Sequence, residues 1–255
     1  MFKIILTGCA GRMGRFVASL AEKSDDFSVV CGVDIADCQS FSFPVYKSIN
    51  DVVEEGDCII DFSHHSQTAD LLTFAKRTNT PIVISTTGQN DDEKELIYKY
   101  SKDVAVFFSA NMSLGINLIS QLIKKAAAVL QDEFDIEIIE KHHNQKLDAP
   151  SGTALLLADS MKSVLKDEPE YVFDRHEYRK IRSKNEIGIH AVRGGTIVGE
   201  HEVIFAGHDE VVTISHTATS REVFAAGALK AAAFLQGKPA GLYNMDILLQ
   251  DYFKI

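Results

Sequence analysis

Phe2–Lys3–Ile4–Ile5–Leu6–Thr7–Gly8–Cys9–Ala10–Gly11–Arg12–Met13–Gly14 sets the fold of this chain. Its first residues form an apolar run of strand length, and Gly8, Gly11 and Gly14 then punctuate it. Beyond them Met13, Phe16, Val17 and Leu20 recur at helical spacing. Strand, glycine loop and helix, in that order, is the context a dinucleotide fingerprint requires. The glycines are spaced differently from the commoner G-x-G-x-x-G, but the physical task is the same. Backbone must approach a pyrophosphate closely and present a helix N-terminus to it. A glycine loop after a first strand also occurs as a plain tight turn, so a second signal is needed. It comes from Phe27–Ser28–Val29–Val30–Cys31–Gly32–Val33, a second strand that ends at Asp34, 20 residues past Gly14. A carboxylate at that distance accepts hydrogen bonds from the adenosine ribose hydroxyls. Ile35 follows, where a site preferring NADPH often carries arginine. A charged hydrogen bond contributes roughly 1.5–3 kcal/mol, so NADH is expected to be used at least as well as NADPH.

The alternation continues. Cys58–Ser63, Pro81–Ile84 and Val104–Phe108 read as strands, and helices follow with Ala69, Leu72 and Ala75 on one face and over 91–101. Strands alternating with helices predict a parallel, doubly wound Rossmann-type sheet. A long helix from Leu114 to about Gln131 leads out of it. The second half reads differently, with a strand at 135–141, a polar excursion from Lys166 to Lys184, and β-rich segments Ile187–Val192, Thr196–Ala206 and Glu210–Ala218. This predicts a smaller α+β domain with an open mixed sheet, one face of which invites burial against another subunit. Ser220 is expected to cap a helix through Gln236 whose packing face is Ala225, Ala226, Leu229, Ala232 and Ala233. The division expected is 1–112 with 221–255 for the dinucleotide and 113–220 for the substrate. Hydride transfer needs reacting atoms about 3–3.5 Å apart, so closure is expected, with hinges near 111–115 and 218–222.

The 255 residues are 45% hydrophobic and 24% charged, an ordinary globular composition with net charge −10. That charge argues against broad nucleic-acid binding and against an acidic membrane surface as partner. An anionic substrate needs a local positive pocket. No apolar run reaches the roughly 18 residues of a membrane span, and no signal-peptide pattern precedes the first strand. Cys9, Cys31, Cys38 and Cys58 form no Cys-x-x-Cys pair, which suggests a reducing cytoplasm rather than a disulfide framework. No carboxylate and histidine set has metal-ligand spacing, so no metal is expected.

The chemistry concentrates in Glu140–Lys141–His142–His143–Asn144–Gln145–Lys146–Leu147–Asp148–Ala149–Pro150–Ser151–Gly152–Thr153, between a strand and a helix. Adjacent His142 and His143 point to opposite sides if the strand runs through them. Ser151, Gly152 and Thr153 precede the helix, where unpaired N–H groups and the positive dipole end seat a carboxylate or phosphate. Lys146 adds a full charge and a transferable proton. Taken singly, a Ser before a helix is usually a cap, a loop lysine is usually solvated, and a histidine pair is more often structural.

Taken together, Glu140 to Ala154 resembles the signature of the dihydrodipicolinate reductase family: Glu, one residue, His-His, two residues, Lys, one residue, Asp-Ala-Pro-Ser-Gly-Thr-Ala. The resemblance implies hydride transfer from NADH or NADPH to 4-hydroxy-tetrahydrodipicolinate in lysine and diaminopimelate biosynthesis. It assigns acid–base work to His142 and Lys146, and substrate binding to His143, Ser151, Gly152 and Thr153. It places the cofactor on Gly8, Cys9, Ala10, Gly11, Arg12, Met13 and Asp34. It also places it on Ser85, Thr86 and Thr87, where Ser85 stands for the family's glycine, and on Ser109, Ala110, Asn111 and Met112. It implies a homotetramer assembled through the open sheet. His64 and His65 replace a basic-Pro pair, either touching a ribose phosphate or serving as surface at a helix entry. Two other readings are an aspartate-type amino-acid dehydrogenase, which has no need for both halves of the signature, and a non-catalytic NADH-sensing protein.

Overall fold

The computed structural model describes residues 1–36, 41–176 and 179–253. Cys38, in the loop expected after the second strand, lies outside them, as do 177–178 of the polar excursion. Two compact units are present: Met1–Leu114 with Arg221–Ile255, and Gly115–Ser220.

In the first unit, β1 (Phe2–Thr7), α1 (Arg12–Glu22), β2 (Phe27–Val33) and β3 (Val45–Tyr46) come first. They are followed by β4 (Cys58–Asp61), α2 (Thr68–Thr78), β5 (Ile82–Ile84), α3 (Asp91–Tyr100) and β6 (Ala105–Phe108). In the second unit, α4 (Leu114–Leu130) leads into β7 (Asp135–His142), α5 (Gly152–Lys162), β8 (Glu170–Val172), β9 (Glu186–Arg193), β10 (Gly199–Ala206) and β11 (Val211–Ala218). The chain then completes the first unit with α6 (Glu222–Leu235), β12 (Gly241–Tyr243) and α7 (Met245–Phe253).

The first unit's seven strands are all parallel, in the order β12-β6-β5-β4-β1-β2-β3. Helices cover both faces, so each strand is apolar on both sides rather than alternating. Ile4, Leu6 and Ile60 pack with α1 and α6, while Ile5, Ile59, Ile82 and Ile84 pack with α2. Each fully buried side chain of this kind contributes about 1.5–3 kcal/mol. Strand order reverses between β1 and β4, and the crevice beyond the strand ends there is where such sheets bind ligands.

α6 packs by small residues, but its buried face is Ala225, Gly227, Ala228, Leu229, Ala231, Ala232 and Leu235. Ala233 is exposed and Ala226 only half-buried, so the expected face is rotated. Gly227 explains the rotation, because a Cβ there would overlap the Met112 carbonyl oxygen. Arg221, not Ser220, is the N-cap, and it makes no side-chain capping bond. On α2, Ala69 is exposed and Leu71, Leu72, Phe74 and Ala75 are buried, a wider apolar face than Ala69, Leu72 and Ala75 describe.

The second unit's sheet runs β11-β10-β7-β9-β8, with β7 antiparallel to β10 and parallel to β9. β7 alternates half-buried and buried residues, so Ile136, Ile138, Glu140 and His142 share the inner face. The two isoleucines join Val203, Phe205, Ile187 and Ile189 against Ile116 and Ile123 of α4 and Leu157 and Met161 of α5. On β11, Val211, Thr213, Ser215 and Thr217 remain exposed on the other face. The excursion after Lys166 is tied down. β8 pairs with β9, Arg175 bonds Glu186 and Glu137, and Arg182 bonds Glu137 and Asp135.

Candidate functional site

The glycine loop of the first unit is built for close approach. Gly8 has φ +71°, and a Cβ on it would overlap the Phe62 carbonyl. A Cβ on Gly14 would overlap the Gly8 carbonyl. The loop can therefore lie flat between β1 and α1 only with glycine at both positions. Gly11 caps α1 without a side-chain bond, and no acid occupies the helix's first turn. The open N–H groups and the dipole end are left for an anion. Asp34 holds the loop, its Oδ2 accepting the Ala10 N–H at 2.9 Å and its Oδ1 the Ala36 N–H at 2.9 Å. A cavity of about 650 Å³ opens here, lined by Gly8, Ala10, Gly11 and Asp34. A dinucleotide fits this cradle: glycines where side chains would obstruct, an uncapped helix end and a carboxylate, Asp34, on the cavity wall.

The other cofactor candidates lie differently. Cys9 is fully buried, its Sγ where a Cβ on Gly32 would fall, so only its backbone can serve a ligand. Arg12 is exposed and Met13 half-buried. Ser85, Thr86, Asn111 and Met112 are buried beyond the ends of β5 and β6. Ser85 N–H bonds the Asp61 carbonyl and Ser109 N–H the Ile84 carbonyl, which aligns these turns along one sheet edge. Asp61 braces that edge, accepting from Thr7 Oγ1 at 2.6 Å and from the Ser63 N–H at 2.9 Å. His64 caps a short 3₁₀ turn, its Nδ1 2.9 Å from Ser66 Oγ, and His65 Nδ1 lies 2.9 Å from Glu93.

In the second unit the signature folds around a buried charge. Glu140 is buried on β7, its carboxylate facing four donors. Arg193 grips both oxygens at 2.7 Å, the Ser151 N–H donates at 2.9 Å, and His142 Nδ1 lies 2.6 Å away. Burial pushes the Glu140 carboxyl upward, but Arg193, His142 and Ser151 outweigh it and hold it below the usual range. Because a carboxylate only accepts, His142 carries its proton on Nδ1 and leaves Nε2 for exchange. A Cβ on Gly199 would stand 3.1 Å from that Nε2, so glycine keeps the approach open. The His142 ring meets His201 edge-on at 5.2 Å, and His201 Nε2 is 3.1 Å from Ser151 Oγ. Burial first and His142 second push His201 down to about 4.

The loop after β7 is fastened to the turn after β9 by Gly194 N–H to the His142 carbonyl and Asn144 N–H to the Gly195 carbonyl. Lys146 Nζ pairs with Asp148 Oδ1 at 2.9 Å. Lys146 first, then Asp148's own N–H and that of Gly152, hold the Asp148 carboxyl below its usual range. A carboxylate thus already lies between the lysine and the first N–H of α5. Arg193 links the two clusters by donating to the Asp148 carbonyl at 2.7 Å. Ser151 caps α5, accepting the Ala154 N–H at 3.1 Å, so both its N–H and its hydroxyl are engaged within the protein. His143 is half-buried.

Glu140, Arg193, His201 and Gly199 were not among the site residues read from the sequence. Glu140 had a signal: alternation along β7 puts a carboxylate on the inner face in step with Ile136 and Ile138. Arg193 and His201 come from strands far along the chain and have no local mark. Among the described residues no group of three His, Cys, Asp or Glu is placed to hold a metal ion, and no helix is long and apolar enough to cross a membrane.

The family models described as dihydrodipicolinate reductase, N-terminus, and dihydrodipicolinate reductase, C-terminus, match residues 2–112 and 115–249. A 4-hydroxy-tetrahydrodipicolinate reductase of Caldanaerobacter subterraneus subsp. tengcongensis is 53% identical over 250 residues, 98% of this chain and 99% of that protein. One from Clostridium tetani is 50% identical, covering 98% of each chain. The solved dipicolinate-bound dihydrodipicolinate reductase from Paenisporosarcina sp. TG-14 shares the fold, with TM-score 0.82 and 23% identity over 97% of this chain and 99% of that one. The chain belongs to the dihydrodipicolinate reductase family.

Proposed function

We propose that this protein reduces 4-hydroxy-tetrahydrodipicolinate to tetrahydrodipicolinate, a step of lysine and diaminopimelate biosynthesis. The net reaction takes up a hydride and a proton and releases water. Membership of the family implies a nicotinamide cofactor, which when bound supplies the hydride. The chain's own residues bind the substrate and manage the proton.

The observation that carries this reading is the carboxylate of Asp148 between Lys146 and the α5 N-terminus. It is a protein carboxylate in the kind of seat a cyclic dicarboxylate needs. A substrate carboxylate exchanges with it, taking the N–H groups of Gly152 and Thr153 and the charge of Lys146. Glu140 fixes the His142 tautomer, and Arg193 keeps Glu140 ionised. His142 Nε2 and Lys146 Nζ then move the proton that hydride addition demands, and His143 hydrogen-bonds the substrate. In the first unit, the α1 N-terminus takes the pyrophosphate and Asp34 the ribose hydroxyls, with 85–87 and 109–112 along the nicotinamide side. With Ile35 uncharged, NADH is used at least as well as NADPH. The protein works in the cytoplasm as a homotetramer built on the outer face of the β7–β11 sheet.

The test follows NADH absorbance with substrate made enzymatically just before use. The reading expects steady loss of absorbance, inhibited by dipicolinate. Intact cofactor binding without turnover would overturn it.

A further inference from the structure

The register of β7, β10 and β11 sets their inner-face residues in rows. Ile138, Val203 and Ile214 form an apolar row, and Glu140, His201 and His216 form the next. His201 is thus a polar side chain inside the unit, 4% exposed. Glu140 and His142 face it from β7, His216 from β11 and Lys146 from the loop before α5. Burial, then His142, pushes its ring down to about 4, so at neutral pH it has one proton to place. Its Nε2 lies 3.1 Å from Ser151 Oγ, and its Nδ1 is buried without a hydrogen-bond partner. A buried N–H without an acceptor is rarer in proteins than an unfilled acceptor. The proton therefore belongs on Nε2, which donates to Ser151 Oγ. That oxygen also accepts the Ala154 N–H at 3.1 Å. A hydroxyl has two acceptor places and one hydrogen. Both places are filled, and among the described residues nothing else bonds that oxygen.

We infer that His201 is a positioning residue: by donating from Nε2 it holds Ser151 Oγ as an acceptor within the protein and commits the hydroxyl hydrogen to the substrate carboxylate. The inference rests on the reductase reading above and deepens its account of the α5 seat. With the proton on Nδ1 instead, the Ser151 hydroxyl would donate to His201 and turn a lone pair toward the ligand, which opposes a carboxylate. The tautomer of one buried histidine therefore decides whether this hydroxyl attracts or repels the anion. Ser151 is itself buried, so bulk water does not reset the choice. His201 meets His142 only edge-on, at 5.2 Å between ring centres. Its part is to hold the substrate's carboxylate, and its loss is read in binding before it is read in the chemical step.

The test is a cycle of variants read by the affinity of dipicolinate for the NADH-saturated protein, so it does not depend on turnover. His201→Leu is expected to weaken dipicolinate about tenfold to a hundredfold, the range for a charged hydrogen bond, with NADH affinity unchanged. Ser151→Ala should lose as much or more. The double variant should lose no more than Ser151→Ala alone, because the two residues act through one hydrogen bond. His201→Gln, whose Nε2 also donates, should restore most of the affinity. Nitrogen NMR spectra of the unmodified protein with isotope-labelled histidine should show His201 protonated on Nε2. In turnover, His201→Leu should raise KM by a larger factor than it lowers kcat. Additive losses, undiminished dipicolinate affinity in His201→Leu, a parallel loss of NADH affinity, a Gln variant no better than Leu, or a proton on Nδ1 would each overturn the assignment. Absence of turnover, with the cycle and the spectra as stated, would count against the reductase reading and leave His201 standing.

Discussion

The N-termini of α1 and α5 both offer a seat for an anion, and they are built in opposite ways. At α1 the chain removes side chains: glycine at 8, 11 and 14, no capping side chain, no acid in the first turn. At α5 it supplies them: a Ser151 cap, a lysine and aspartate pair beside the first N–H, and a buried glutamate gripped by arginine. The first seat suits a ligand recognised by its pyrophosphate backbone, where shape and open N–H groups suffice. The second suits a ligand on which chemistry occurs, where protons must be held at chosen atoms. On the proposed function, recognition would be done mostly by backbone in one unit and mostly by charged side chains in the other.

The sharpest way to break this contrast is to remove the amine of the second seat. Lys146→Ala should lower turnover about 10²–10⁴-fold, the range for positioned acid–base groups, while NADH affinity stays intact. Stopped-flow kinetics with a parallel NADH titration checks it, and loss of NADH binding would refute the separation of roles. Next in size is Glu140→Gln, which leaves Arg193 against a neutral amide inside the unit. Breaking such a buried pair costs about 3–5 kcal/mol, so denaturant unfolding should show a large loss, and turnover should fall because the His142 tautomer is no longer fixed. At the first seat, Gly14→Ala forces a methyl group into the Gly8 carbonyl. Overpacking of this kind costs about 1–3 kcal/mol, and NADH affinity should drop while dipicolinate still binds.

The smallest effect is on pH dependence. His201 is pushed from 6.5 down to about 4, so between those values the unfolded chain takes up a proton that the folded one does not. Stability must therefore fall as pH falls through that window. Glu186, drawn down to about 2 first by Arg175 and then by the Ser183 N–H, supports the fold above its ordinary 4.5 and loses that support only at lower pH. Thermal unfolding against pH should show both slopes. His201→Gln should flatten the upper one, and an unchanged upper slope would assign it to another group.

The same contrast explains what could be read from the sequence. A seat made of backbone leaves its mark in spacing: the close-packed glycine loop of Gly8, Gly11 and Gly14 between β1 and α1 was legible, as were the buried parallel strands of a Rossmann-type sheet, because runs such as Ile4–Leu6 are apolar on both faces. A seat made of side chains is legible only where those side chains are contiguous. The segment from Glu140 to Thr153 named its own loop, but Arg193 and His201 reach it through sheet register, and register is not written locally. β3 and β8, at two and three residues, are too short to show any period and exist by pairing with β2 and β9. The face of α6 was misplaced because Gly227 lets that helix approach the Met112 carbonyl, a contact made across more than a hundred residues of chain.

The most direct test of the account is the affinity of dipicolinate for the NADH-saturated protein, measured by calorimetry for the unmodified chain and for Lys146→Ala. The account predicts affinity about tenfold weaker or more in the variant, as expected for a lost charge-assisted contact, with NADH affinity unchanged. Equal dipicolinate affinity in the two proteins would contradict it, because the dicarboxylate would then be held away from the α5 N-terminus.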